Sequence, residues 1–336
     1  MQRVLVPAAI DARALAVPGM AAVERLRGET MGTTWSVALR RPPGAALSEL
    51  RRGIEGELDR VVAEMSHWRA DSALGRFNRA PAGTWHPLPD GFYTVLDYAL
   101  AMAERSGGAY DPTIGRLVDL WGFGPGAAAA PGVPPADADI APALAAAGWH
   151  RIVLCRAQRR AFQPGGVRLD LSSVAKGYAV DRVSDWLSSA GVAASLVEIG
   201  GELRGQGVKP DGLPWWVAIE APPEAAGHVP TVAALHGLAV ATSGDYRRCF
   251  VHGGRRYAHT LDPRSGRPVE NALASVTVLH PSCMQADALS TLLTVLGPEP
   301  GLAYATRNDI AALLVIRELD GGFSERLSPA LAALLD

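Results

Sequence analysis

At 336 residues the chain is long enough to bury a large core, and its 48% hydrophobic and 20% charged content is ordinary for a soluble globular protein. A net charge of -2, with no block of Lys or Arg, gives no general attraction for nucleic acid. Three widely spaced cysteines, Cys155, Cys249 and Cys283, supply neither a disulfide framework nor zinc-ligand spacing and read as buried free thiols.

The N-terminal segment mixes apolar runs with Arg3, Asp11, Arg13 and Pro18, so no stretch approaches the ~20 apolar residues of a membrane span. It lacks the unbroken apolar core of a secretory signal, and no cysteine lies near the start to accept a lipid. Residues 1–26 therefore read as a loosely ordered leader and residues 27–336 as one domain. The expected compartment is the cytoplasm, with a periplasmic or inner-membrane-associated location as the alternative.

From Gly28 to Leu39, GETMGTTWSVAL reads as a strand with a polar approach. Leu47, Leu50, Ile54, Leu58, Val61 and Met65 then recur at spacings of 3 and 4, with charges between them, and predict an amphipathic helix. A second helix carries Phe92, Val95, Leu96, Ala99 and Met102 and stops at Gly107-Gly108. The alanine-, proline- and glycine-rich run at 122–135 is a loop. Next, RIVLC and GVRLDLS read as a hairpin feeding a helix with Tyr178, Val183, Trp186 and Leu187, ended by Gly191. SLVEIG, WWVAIE, GLAVATS, RRYAHTL and ASVTVL predict further strands. The last helix starts near Ser282, which has capping-box spacing to Gln285, and buries Ala286, Leu289, Leu293 and Leu296. Strands and helices mixed in this way, with many antiparallel connections and no repeat period, predict an α/β or α+β fold.

The chemistry-bearing residues are sparse. There is no GxxxxGK[ST], GxGxxG, GxSxG or HExxH, which disfavours a P-loop, a Rossmann site, a serine hydrolase and a zinc protease. In QADALSTLL, Asp287 and Thr291 are four apart and share a helix face distinct from the apolar stripe. One carboxylate and one hydroxyl are hard oxygen donors suited to Mg²⁺, with waters and a substrate phosphate completing the shell; a solvated polar face is the plain alternative. His259, in YAHTLDPRSG, ends a strand before an Asp-Pro turn and is either structural or functional. Gly177, in the first turn of its helix, costs about 1 kcal/mol relative to Ala and needs a reason. Close approach of a phosphate to the helix start is one; close packing of the helix on its sheet is the other.

Eight segments in this order resemble the ApbE family of flavin transferases: ETMGTTW, HWRADSALGRFN, GAYDPTIGRLVDLWGFG, DLSSVAKGYAVD, EIGGELRGQG, ATSGDYRR, HTLDPRSG and QADALSTLL. The resemblance runs from about Gly28 to Gly297. It implies an α/β (α+β), T-fold-related architecture of mixed sheets with packed helices, and an active site between two lobes. It also implies Mg²⁺-dependent transfer of FMN from FAD to a Thr/Ser hydroxyl of an acceptor flavoprotein, forming a phosphodiester and releasing AMP. By the same resemblance, Met31, Trp68, Tyr110, Asp111, Pro112, Ser172, Asp181 and Leu261 would line the FAD site. Asp287, Thr291 and the backbone carbonyl of Ala175 would hold Mg²⁺, and His259, Asp287 and Lys176 would work close to the reacting phosphates. A metal-bound Asp287 is a weak base because the cation stabilises its ionised form, so His259 is expected as the base. Gly177 would let the chain pass close to the cofactor.

The departures from the family pattern are Thr260-Leu261, where a pair of isoleucine or valine residues is frequent, and Ser172-Ser173. Two other functions fit the same residues: a Mg²⁺-dependent FAD pyrophosphatase and a flavin-binding protein without turnover. No acceptor-type run ending in Thr/Ser-Gly-Ala-Thr occurs, so self-modification is not expected. The expected partners are FAD and the acceptor protein, with no nucleic acid and no integral membrane segment, in a monomer or homodimer.

Overall fold

The computed structural model describes residues 2–7, 22–126, 132–225 and 229–335. Strand β1 (Arg3–Leu5) falls in the segment predicted as a loose leader, yet pairs in parallel with residues 231–233. Residues 8–21 of that segment lie outside the described residues. The stretch predicted as one strand is a hairpin, β2 (Val23–Thr30) and β3 (Thr33–Arg40). Its two-residue turn, Met31-Gly32, has φ values of 50° and 71°, the left-handed pair whose twist matches the flanking strands. A methionine holds that conformation only where its surroundings enforce it.

Helix α1 (Leu47–Met65) buries the predicted stripe of Leu50, Ile54, Leu58, Val61 and Met65. At about 1.5–3 kcal/mol per buried side chain, this stripe rather than intrinsic propensity holds the helix. Helix α2 (Ala73–Asn78) is capped by Ser72, whose Oγ accepts from the Gly75 amide. Then come β4 (Thr84–Pro87), α3 (Asp90–Arg105) with its predicted apolar face inward, α4 (Gly115–Leu120) and α5 (Asp137–Ala146). Between α4 and α5, the predicted loop is free of helix and strand at its described residues; 127–131 lie outside them.

Strand β5 (Val153–Cys155) pairs with β6 (Arg160–Gln163), not with GVRLDLS as predicted. The turn closes early, through the left-handed Arg159 (φ 47°), so RAFQ takes the partner's place. GVRLDLS runs on as an extended segment with a single bridge, Ile114 to Arg168, into helix α6 (Ala175–Ser189).

Strands β7 (Ser195–Ile199), β8 (Glu202–Gln206), β9 (Trp215–Ala218), β10 (Thr231–Leu235) and β11 (Leu238–Gly244) follow. The exposed hairpin β12 (Cys249–His252) and β13 (Arg255–Ala258), the short pair β14 (Leu261–Asp262) and β15 (Arg267–Pro268), and β16 (Leu273–His280) lead to helix α7 (Cys283–Leu296). Helix α8 (Pro298–Arg307), β17 (Ala311–Arg317), β18 (Phe323–Leu327) and α9 (Pro329–Ala332) complete the described chain, beyond the last predicted helix.

Among the described residues the largest sheet has the order β18-β17-β16-β11-β8-β7-β3-β2, every neighbouring pair antiparallel, which is the α+β form of the expected fold. Both faces are covered. On one, α7 lies on β11 and β16, α6 packs between α7 and α1, and Val276, Val278, Leu314 and Ile316 point into their core. On the other, Leu279, Leu313 and Val315 meet β1, β9, β10 and α9. Burial on two sides is why β17 reads as a continuous apolar run, and why β16 is buried from Leu273 to Leu279 although Ser275 and Thr277 interrupt its apolar residues.

Helix α6 crosses α7 closely enough to settle the question raised by Gly177. A Cβ there would stand 2.3 Å from the Cys283 carbonyl oxygen and 2.8 Å from Asp287 Cβ. Close packing is the reason for the glycine, against a helix rather than a sheet. Of the three thiols only Cys283 is buried; Cys249 is exposed and Cys155 half-buried.

Candidate active site

A cavity of about 410 Å³ lies between the β2–β3 turn, the start of α6, the end of β11, one face of α7 and the segment after β13. Met31, Trp68, Tyr110, Asp111, Ser172 and Leu261 line it, together with Ala175, Lys176, His259, Asp287 and Thr291. Residues up to 260 positions apart in sequence thus share one wall, as they must if they serve one ligand.

The face of α7 read as either ligating or solvated is turned into the cavity. Asp287 is buried, and its Oδ2 accepts from the Gly177 amide at 3.0 Å. Burial pushes its carboxyl above the usual range, while the Lys176 charge and the Gly177 amide pull it back. Thr291 Oγ1 is 3.2 Å from Ser243 Oγ, which is also 2.8 Å from Ser290 Oγ. Ala175 opens α6 on the same wall. A carboxylate, a hydroxyl and a peptide carbonyl are all hard oxygen donors, and a dication would offset the cost of the buried charge, so this donor set fits Mg²⁺. No cluster of three His, Cys, Asp or Glu suited to a metal occurs among the described residues.

Lys176 reaches Glu202 on β8, with Nζ 2.6 Å from Oε1. Burial alone would lower the lysine, but Glu202 and Asp287 outweigh it and hold the ammonium charged. His259 is partly exposed on the wall. Both its backbone amide and its Nδ1 lie 3.0 Å from the Arg248 carbonyl oxygen. That contact assigns the proton to Nδ1 and leaves Nε2 as a free acceptor. Enclosure by the cavity walls and the Arg248 charge lower the imidazole to about 4, so it is neutral at physiological pH.

The remaining expected residues divide. Tyr110 is buried and its hydroxyl is 2.9 Å from Ser173 Oγ. Asp111 lines the cavity with both carboxylate oxygens tied to Thr113 and the Trp149 amide, so it shapes the wall without offering a free charge. Trp68 is 61% exposed, a large apolar surface on the rim. Pro112 stands behind the wall, its carbonyl accepting from the Asp170 amide at 2.8 Å. Asp181 is also off the wall. Its carboxylate accepts from Ser282 Oγ (2.7 Å) and the Cys283 and Met284 amides (2.9 and 3.0 Å), and pairs with Arg204 (2.9 Å). It caps the start of α7, where an anion meets unpaired amides and the positive end of the helix dipole.

Residue-type reasoning missed Glu202, Ser243 and Arg248, all on the wall. The signal available for Glu202 was the Gly200-Gly201 pair before it. Both glycines have positive φ (61° and 103°), and a Cβ on Gly201 would strike Arg247, 2.5 Å away.

An antiparallel sheet covered on both faces, with a deep cavity where a carboxylate, an ammonium, an imidazole and hydroxyls converge, defines an α+β enzyme. The ApbE family model matches residues 31–314, and the chain belongs to that family. It is 40% identical over 311 residues to a FAD:protein FMN transferase of Vibrio cholerae, covering 92% of each chain. With the FAD:protein FMN transferase of Escherichia coli K12 it shares 34% identity over 92% of its length and 88% of that relative's. The crystal structure of Pseudomonas stutzeri flavinyl transferase ApbE, apo form, superimposes with a TM-score of 0.85 at 43% identity, covering 93% of this chain and 96% of that one. No helix among the described residues is long and apolar enough to cross a membrane.

Proposed function

We propose that the chain transfers the FMN half of FAD to a Thr or Ser hydroxyl of an acceptor protein, forming a phosphodiester and releasing AMP. The observation that carries this is the convergence of Asp287, Thr291, Lys176 and His259 on one cavity, in a chain 40% identical to a FAD:protein FMN transferase.

Asp287, Thr291 and the Ala175 carbonyl would hold Mg²⁺, which when bound neutralises charge on the pyrophosphate. His259 Nε2 takes the proton of the acceptor hydroxyl as its oxygen bonds to the phosphorus on the FMN side. The bond from that phosphorus to the bridging oxygen breaks, and AMP leaves with the electron pair. The neutral imidazole suits this task, and Arg248 orients it through Nδ1. Lys176 presents a fixed positive charge on the wall where the phosphates would lie, and Trp68 offers its ring on the rim to a flavin or adenine face.

The test is mass spectrometry of an acceptor peptide incubated with the protein, FAD and Mg²⁺, with and without EDTA. A Mg²⁺-dependent mass gain of one FMN residue, with AMP in solution, is expected. Free FMN and AMP with an unmodified peptide would identify a FAD pyrophosphatase, and intact FAD under all conditions would identify a binding protein.

A further inference from the structure

Glu202 opens β8 directly after the Gly200-Gly201 turn and is 3% exposed on the cavity wall. Its Oε1 accepts from Lys176 Nζ at 2.6 Å, while its Oε2 is buried with no hydrogen-bond partner among the described residues. Lys176 also attracts Asp287, which is bonded to the neighbouring Gly177 amide, yet no direct ion pair joins Lys176 and Asp287. One half-buried ammonium therefore has two buried carboxylates within its field and is bonded to only one of them.

The choice matters because Glu202 and Asp287 are buried carboxylates that each gain from a nearby cation, and a single half-buried ammonium can be held tightly by only one of them. Without the Glu202 charge, Asp287 is the carboxylate on the same cavity wall that still attracts Lys176. An ammonium on Asp287 would occupy the carboxylate oxygens that a dication needs, and its uncompensated charge would repel the dication as well. The bond at 2.6 Å is short and charge-assisted, and it gives Glu202 the stronger hold.

We propose that Glu202 is a positioning residue that holds the Lys176 ammonium on itself and so keeps Asp287 free to ligate a divalent cation. This rests on the reading of Asp287 as a metal ligand. Glu202 need not touch the metal or the substrate; it acts through Lys176.

The test uses Mn²⁺ as the probe, with free Mn²⁺ followed by electron paramagnetic resonance during titration of the full chain. Glu202→Gln keeps the shape and removes the charge, and is expected to weaken Mn²⁺ binding by at least about tenfold. Adding Lys176→Met to it removes the competitor and should bring the affinity back to within about threefold of wild type. A merely structural role would not be rescued by a second substitution. If Glu202→Gln alone fails to fold, Lys176→Met carries the test, and it must bind Mn²⁺ at least as tightly as wild type. An unchanged affinity in Glu202→Gln, no rescue in the double variant, or weaker binding in Lys176→Met overturns the proposal while leaving Asp287 as a ligand. An affinity indifferent to Asp287→Ala overturns both the proposal and the metal reading beneath it.

Discussion

Replacing Gly177 by alanine sets helix propensity against helix packing, and the two predict opposite signs. In an unencumbered helix interior the change stabilises by about 1 kcal/mol. Here the new Cβ would meet the Cys283 carbonyl oxygen at 2.3 Å and Asp287 Cβ at 2.8 Å. Ordinary contact lies near 3.5 Å, so α6 and α7 would have to part by roughly 1 Å. The obstacle is helix backbone and a buried side chain, and neither can swing aside.

Overpacking of this kind costs about 1–3 kcal/mol, and the rigid neighbours place it near the upper end. The same movement stretches the 3.0 Å bond from the Gly177 amide to Asp287 Oδ2. A hydrogen bond to a charged group contributes about 1.5–3 kcal/mol, of which about 1 would be lost. Strain of about 3, a weakened bond of about 1 and a propensity gain of about 1 leave a net loss of about 3 kcal/mol. Urea unfolding followed by circular dichroism should show a lower midpoint at unchanged slope, and Mn²⁺ binding should weaken because Asp287 is displaced. A variant as stable as wild type, with the same Mn²⁺ affinity, would refute the helix–helix explanation.

Asp181→Ala should destabilise by about 2–4 kcal/mol in urea, since it removes the acceptor of the Cys283 and Met284 amides and one of the two carboxylates paired with Arg204, while FAD affinity of the folded protein changes little. A large loss of FAD affinity at full stability would instead put Asp181 in the binding site. Trp68→Ala, at a residue 61% exposed, should leave stability within about 0.5 kcal/mol and raise the FAD dissociation constant about tenfold by fluorescence titration. An unchanged constant removes Trp68 from the ligand site. His259→Asn should cut turnover by ~10²–10⁴ with FAD still bound, and full activity would exclude His259 as the base. His259 also carries a pH signature. Its folded value of about 4 lies below the ordinary 6.5, so the unfolded chain binds the extra proton first. The stability from the neutral ring is complete above about pH 6.5 and is lost as pH falls towards 4. Urea midpoints of wild type and His259→Asn should diverge across that window, and parallel curves would contradict the lowered value.

The helices were legible because each carries its own signal. The 3-and-4 stripe of α1, the glycine stop after α3 and the Ser282 cap of α7 depend on neighbours within a turn or two, and the structure keeps all three. Strand pairing was less legible, because a strand's partner is chosen by the whole sheet. GVRLDLS has the right pattern for β5, but the left-handed turn at Arg159 brings RAFQ there first. At β2–β3, the paired positive-φ residues Met31 and Gly32 divide one apparent strand into two.

The spacing of Asp287 and Thr291 placed both on one helix face from sequence alone, and the motif order pointed to the family. Whether that face met water or a cavity was decided only when α6, β8 and β11 closed over it. Tertiary structure likewise drew Asp181 away to cap α7, gave Gly177 a helix to pack against, and set Glu202 beside Lys176 across 26 residues of chain. Local periodicity reports how a segment treats water in general. Which buried charge finds which partner depends on distances of 2–4 Å between segments far apart in sequence, and those exist only after the chain has folded.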